Sequence, residues 1–306
     1  MSPAVPDPAR AGRADLPPDL RRRRLPGDGW VQCGCGQKHW GLYGAAGLLV
    51  WRRTDGGRQM VLQHRADWTH HGGTWGIPGG ALTGTESAVA GGLREAVEEA
   101  GLVTSAVRVR ADRVLTHPDW SYTTVVAEAV AAWQPSVTDA ESHELAWIDL
   151  AAVDRYPLLP AFAAALPELR TMLRRLVVVV DAANVVGSRP DGWWQDRHGA
   201  TVRLRDHLAG LVGSGLAAED LDLPGATWCP EFVLVTEGRA RTVEAAAPGV
   251  RVVAAEGAGD DAIVAVVAGL AADPDIVLRV ATADRELGSR VAVSGARTIS
   301  PRLVRH

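Results

Sequence analysis

Three glutamates, Glu95, Glu98 and Glu99, fall within five consecutive residues of the stretch GALTGTESAVAGGLREAVEEAGL, Gly80 to Leu102. Spacings of three and four place them on one face of a helix. Carboxylates held that close repel and raise one another's pKa values. The stretch offers a single cation, Arg94, against them. A divalent ion removes the penalty, because hard cations such as magnesium take carboxylate oxygens. A solvated acidic face is the alternative that these residues alone leave open.

A second set of acids lies far downstream. Asp181 closes the apolar run VVVVD, with Asn184 one turn on; Asp260 and Asp261 open a helix after AEGAG; Asp284 ends IVLRVATAD. A single Asp at a strand end is most often a helix cap. A set arriving from separate parallel strands is expected to converge, since ligands collect at the carboxyl ends of such strands. Converged carboxylates suit the two-metal clamp of phosphodiester cleavage.

The elements that must position these groups can be read along the chain. Thr83 followed by Glu86 is a capping-box signature, and Gly101 stands where a helix stop is expected. Gly91 and Gly92, inside the helix, cost roughly 1 kcal/mol each relative to Ala and imply close packing against the backbone. Upstream, residues 44–53 and 58–65 are short apolar runs joined by TDGG, a hairpin signal. Strand-like runs at 103–116, 121–133 and 143–153 follow, then a helix over 158–175. From Leu176 the pattern becomes apolar strands alternating with helices, which predicts a parallel α/β sheet covered on both faces. The reading is a flexible tail over 1–28, one domain over 29–174 and a second over 175–306. In the tail, Arg21–Arg24 is read as a solvated run.

The spacing of Gly80, Glu86, Arg94, Glu95, Glu98, Glu99, Gly101 and Leu102 resembles the Nudix box, Gx(5)Ex(7)REUxEExGU, with Ala96 at the apolar position after Arg-Glu. WGIPGG before it resembles the usual entry into that box. The resemblance covers about residues 40–170 and implies an α/β/α sandwich around a mixed sheet. It implies Mg2+ or Mn2+ held by Glu95, Glu98 and Glu99 with the Gly80 carbonyl, Arg94 orienting the carboxylates, and Glu86 in a structural role. The implied chemistry is hydrolysis of a nucleoside-diphosphate-X pyrophosphate linkage. Glu141 is the favoured general base over Glu144, both just before Trp147. Trp75, Trp120 and Tyr122 are expected near the mouth, where they could stack on a base. Arg65, His70 and His71 are candidates to meet phosphate.

VVDAANVVG, VLVTEG, AEGAGDDAIVAVV and ATADREL resemble the successive motifs of NYN domains, relatives of PIN nucleases and YacP-like proteins. That resemblance implies a metal-dependent ribonuclease with Asp181, Asp260 or Asp261, and Asp284 as ligands, Asn184 beside the first acid and Thr282 as a supporting hydroxyl. Residues 176–306 hold 13 arginines, no lysine and 17 acids, so no global basic footprint marks this half for RNA. Arg189, Arg197, Arg203 and Arg205 could form a local stripe, and Trp193 and Trp194 could stack on bases or form a lid. The alternative reading is an RNA-binding or regulatory module that directs the first domain to RNA 5′ ends.

The remaining composition excludes more than it assigns. A net charge of −4 gives no reason to expect a nucleic-acid or membrane-surface protein. No apolar run approaches the ~20 residues of a membrane span. Cys33, Cys35 and Cys229 cannot build a disulfide framework, and a reducing, cytoplasmic compartment fits. Cys33, Cys35 and His39 supply three of the four ligands zinc usually takes, so the cysteines are read as small core residues in a tight turn.

Overall fold

The computed structural model describes residues 25–188, 192–244 and 248–305; the Arg21–Arg24 run and Arg189 lie outside the described residues. Leu25–Asp28, expected to close the flexible tail, instead form a turn in which Leu25 N–H donates to Asp28 Oδ2 at 2.9 Å. Gly27 is buried, its carbonyl accepting the Leu42 N–H at 2.8 Å. The chain divides into two compact units, residues up to 109 with 113–169, and 110–112 with 170 onward.

The first unit begins with an antiparallel pair, β1 (Trp30–Gln32) and β2 (Lys38–Trp40). Its main strands are β3 (Ala45–Thr54), β4 (Gly57–Arg65), β5 (Trp75–Gly76), β6 (Gly79–Ala81), β7 (Val107–His117), β8 (Trp120–Ala129) and β9 (Ser142–Asp149), with α1 (Ala88–Ala100) and α2 (Pro160–Met172). Within this unit the strand order is β7-β8-β3-β4-β5, with β6 pairing β3 and β9 pairing β4. The sheet is mixed: β3 runs parallel to β8 and antiparallel to β4. Thr54 pairs with Gly57, so Asp55–Gly56 is the two-residue turn that TDGG announces. Helix α1 lays Ala96 and Ala100 against Leu48, Val50 and Val125 of the sheet. Small residues let it approach closely. A Cβ on Gly92 would stand 3.4 Å from the Gly47 carbonyl oxygen, and one on Gly79 would fall 2.5 Å from Gly47 Cα and 2.6 Å from the Ala46 carbonyl oxygen.

The second unit contains β10 (Arg175–Asp181), α3 (Ala182–Gly187), α4 (Arg197–Ser214), β11 (Leu216–Ala217), β12 (Thr227–Trp228), β13 (Glu231–Thr236), β14 (Val250–Ala254), α5 (Gly259–Leu270), β15 (Ile276–Ala281), α6 (Arg285–Ala292) and β16 (Arg297–Ile299). Five of these strands form an all-parallel sheet in the order β14-β13-β10-β15-β16. Alternate residues Val177, Val179, Val233, Val235 and Val280 pack with Ile263, Val267 and Leu287 of α5 and α6. Val178, Val180, Phe232 and Leu234, which point the other way, are buried too. Burial on both faces is why these strands read as unbroken apolar runs.

The packing of β6 on β3 yields a stability prediction. Gly79→Ala forces a Cβ into backbone that cannot swing aside, an overpacking cost of about 1–3 kcal/mol or more. Gly92→Ala makes ordinary contacts and gains roughly 1 kcal/mol of helix propensity. Urea unfolding of the two variants should therefore move the first-unit midpoint in opposite directions, or leave it unmoved for Gly92→Ala.

Candidate active site

Helix α1 carries the first acidic cluster, and its ends are set locally. Ser87 is the N-terminal cap, its Oγ accepting the Ala90 N–H at 3.2 Å. Thr83 and Glu86, expected to cap the helix, instead close the turn before it: Thr83 N–H donates to Glu86 Oε1 at 2.9 Å. The reason is that the Glu86 carboxylate is also held by Arg94, whose Nε and Nη2 donate to Oε2 at 3.1 Å and Oε1 at 2.8 Å. Gly101 ends the helix at φ 61°, its N–H bonded to the Ala96 carbonyl.

Arg94 gathers the cluster. Nη1 donates to Glu95 Oε1 at 2.7 Å and reaches Glu98 Oε2 at 3.4 Å, while Nη2 also donates to the Ala81 carbonyl at 3.0 Å. These bonds hold the Glu86 carboxyl below its ordinary range. Glu95 behaves oppositely: burial pushes it up to about 7, against the pull of Arg94 and with Glu98 and Glu141 adding repulsion. Gly80 makes its place, since a Cβ there would stand 2.6 Å from Glu95 Oε1. Glu99 is buried, and Oε2 accepts the Gly79 N–H at 2.9 Å and the Gln63 amide at 3.2 Å. Desolvation holds its carboxyl well above the usual range, with Glu95, Asp139 and Glu141 reinforcing. Glu98 remains partly open to solvent, its side chain 38% exposed.

Of the two acids before Trp147, Glu141 faces the cluster, its carboxyl raised by burial and by Asp139. Glu144 is exposed on β9, opposite His64. Gln63 and Asp139 belong to this neighbourhood although sequence reading passed over both. Gln63 donates to Ser142 Oγ at 2.8 Å as well as to Glu99. A wholly buried amide in the otherwise apolar centre of β4 is the signal that could have found it; Asp139, in a loop, carries none.

Beside Gly79 and Gly80 opens a cleft of about 340 Å³. Trp120, Tyr122, His39, Arg65, His70 and His71 are among its walls. His39 lies flat on Trp120, ring centroids 4.4 Å apart. Trp75, grouped with them from sequence, is buried and stacked on His64 at 4.8 Å, so it packs the fold and does not line the cleft. Cys33 is buried as expected, whereas Cys35 is exposed, with Sγ 3.2 Å from His39 Nε2.

In the second unit the strand-end acids meet through Thr282. Asp181 caps α3, Oδ1 accepting the Asn184 N–H at 3.0 Å, and Oδ2 accepts the Thr282 hydroxyl at 3.1 Å. Thr282 Oγ1 in turn accepts the Asp284 N–H at 3.1 Å, and Asn184 Oδ1 accepts the Ala283 N–H at 2.9 Å. Asp284 caps α6 through the N–H groups of Glu286 and Leu287. Burial raises the Asp181 carboxyl, with Asp260 and Glu237 adding repulsion. Asp260 is raised by burial and then by Asp284. Asp261 turns outward to Arg290, Oδ1 to Nη2 2.5 Å. Glu237 bonds the Gly259 N–H at 2.8 Å at the start of α5. Arg205 is paired with Asp206, and Arg197 lies 5.0 Å over the Trp193 ring.

A profile of the NUDIX domain matches residues 44–170. A Mycobacterium tuberculosis protein described as putative 8-oxo-dGTP diphosphatase 3 is 47% identical over 154 residues, which is 47% of this chain and 70% of that protein. The chain belongs to the Nudix hydrolase family. A Bifidobacterium longum nucleoside triphosphate pyrophosphatase/Nudix hydrolase fusion protein is 42% identical over 170 residues, 52% of this chain; the chain spans only 35% of that relative's length. The crystal structure of a Nudix hydrolase from M. smegmatis, RenU, aligns at 40% identity over 47% of this chain and 93% of that one, TM-score 0.44.

The electrostatics of the Nudix helix make a pH prediction. Glu95, with a pKa of about 7 when folded against an ordinary 4.5, keeps its proton in the folded state where the unfolded chain has lost it. Glu99 and Glu141 shift the same way. Stability of the metal-free protein should therefore fall as pH rises from about 4.5 through 7. Thermal melts should record that slope, and Glu95→Gln should make it shallower.

Proposed function

We propose that the first unit is a metal-dependent pyrophosphohydrolase acting on a nucleoside-diphosphate-X type linkage. The observation that carries this reading is the Arg94-gathered carboxylate set, with Glu99 buried against Gly79 at the edge of an aromatic-walled cleft. An all-oxygen donor set in which burial raises the Glu95 and Glu99 carboxyls fits a hard divalent ion, Mg2+ or Mn2+. Glu95, Glu98 and Glu99 would hold it, with the Gly80 backbone as a further donor. Such an ion, when bound, neutralises diphosphate charge and makes hydroxide accessible near neutral pH.

The chain's own residues supply the rest. Arg94 fixes the direction of Glu95 and Glu98. Glu141 takes the proton of the attacking water; its raised pKa brings it closer to the working pH of a general base. Arg65 and His70 stand in the cleft wall where phosphate charge is to be met, and the Trp120–Tyr122 side offers a face for a nucleobase. The Mycobacterium tuberculosis relative's name supports a nucleoside triphosphate, oxidised guanine included, as a first substrate to assay. Free thiols at Cys33, Cys35 and Cys229 support a reducing, cytoplasmic setting.

Glu98→Gln should abolish phosphate or pyrophosphate release from nucleotides in Mg2+ or Mn2+ while the melt stays cooperative. Glu141→Gln should lower kcat by about 10²–10⁴-fold, and Glu144→Gln should leave it near the parent value. Full activity in Glu98→Gln would sink the assignment.

We further propose that residues 175–306 form a NYN/PIN-like domain with metal-dependent ribonuclease activity. Asp181, Asp260 and Asp284 are its acids, with Thr282 and Asn184 holding the first and the last in place. Support comes from the convergence of these groups after the carboxyl ends of β10, β14 and β15, not from any basic surface. Single-stranded RNA incubated with the full chain and Mn2+ should be cut, and Asp181→Ala should stop cutting while RNA binding persists. Binding without cleavage by the parent would instead favour the module that directs the Nudix domain to RNA.

A further inference from the structure

Outside both acidic clusters, Cys33, Cys35 and His39 present Sγ, Sγ and a ring nitrogen that all lie within 4.8 Å of one another. We propose that this trio is a zinc site that clamps the β1–β2 hairpin and sets the wall of the nucleotide cleft. Around a tetrahedral zinc, with Zn–S about 2.3 Å and Zn–N about 2.0 Å, ligand atoms stand roughly 3.3–3.8 Å apart. The Cys35 Sγ to His39 Nε2 separation is already 3.2 Å, so closing the set on an ion takes side-chain adjustment and no refolding.

The backbone is shaped for this. Gly36 N–H donates to the Cys33 carbonyl at 3.0 Å, and Cys33 N–H to the Gln37 carbonyl at 3.0 Å, which folds the two cysteines back toward β2. Gly36 sits at φ 85°, a conformation other residues rarely adopt. Asp119 anchors the turn from outside, Oδ2 accepting the Gly34 N–H at 2.7 Å. This compensates for a Cys-x-Cys spacing one residue shorter than the common knuckle, because the third ligand comes from the next strand.

Donor chemistry separates this site from the carboxylates. Two thiolates and an imidazole are soft to borderline ligands that select zinc over magnesium or manganese. Binding releases the two thiol protons to solvent and involves no oxidation. A water would complete the tetrahedron on the side where Cys35 is exposed. His39 is the link to function: it lies on Trp120, 4.4 Å between rings, and both line the cleft. Fixing His39 from its Nε2 side therefore fixes the stack.

The test uses the full chain purified without chelators and does not depend on any assay of hydrolysis. Mass spectrometry should find about one zinc per chain, retained in Glu98→Gln and lost in Cys35→Ser. Cobalt added to the metal-stripped parent should give a thiolate charge-transfer band that His39→Ala weakens. As a check independent of variant folding, zinc added to the stripped parent should slow modification of Cys33 and Cys35 by a disulfide reagent. A parent with no cobalt–thiolate band, zinc content unchanged in Cys35→Ser, or thiol reactivity indifferent to zinc would overturn the proposal.

Discussion

One guanidinium organises the Nudix site. Arg94 donates to Glu86, Glu95, Glu98 and the Ala81 carbonyl, using the planar fork that only arginine has. Without it, three carboxylates on one helical face would repel each other outward into water. With it, Glu95 and Glu98 are aimed along one side of α1 while Glu86 ties the preceding turn to the helix. The arrangement is still electrostatically unsatisfied, because Glu95, Glu99 and Glu141 remain raised. That shortage of positive charge is what the proposed divalent cation would make good.

The scaffold makes room for that arrangement by removing side chains. Gly79 lets β6 press onto β3, and Gly80 leaves space for the Glu95 carboxylate. The same closeness brings the Gly79 N–H to Glu99, so the most buried acid of the cluster is held by backbone. The geometry of the acidic cluster and the packing of the core are here one constraint.

The second unit reaches an acidic cluster by a different route. Two of its acids, Asp181 and Asp284, sit at strand ends and double as helix caps, so backbone N–H groups orient their carboxylates, whereas Asp261 is held by Arg290. Thr282 joins two of them, one hydroxyl serving Asp181 and Asp284. Burial on both faces of the parallel sheet forces the strands into alignment, and alignment is what brings their ends together.

Much of this could be read from residue order alone. The TDGG turn signal placed the hairpin at Asp55–Gly56, glycine placed the helix end at Gly101, and alternation of apolar strands with helices placed the parallel strands after Leu176, because each depends on contacts within a few residues or on a repeated burial pattern. The box acids were legible for the same reason: spacing on a helix is a local property. What separated Asp260 from Asp261 was an arginine 29 positions away in the chain. Glu141 precedes β9, in a turn tied down by the Ala66 N–H, which donates to its carbonyl, and by Asp139, which accepts its own N–H, whereas Glu144 lies within the strand and is exposed. Gln63 and Asp139 likewise joined the cluster through strands and loops meeting across the fold. Sequence by itself determined which residue types were available and which helical face or strand end they shared; tertiary packing alone decided which were desolvated together, since burial and long-range charge are set by elements distant in the chain.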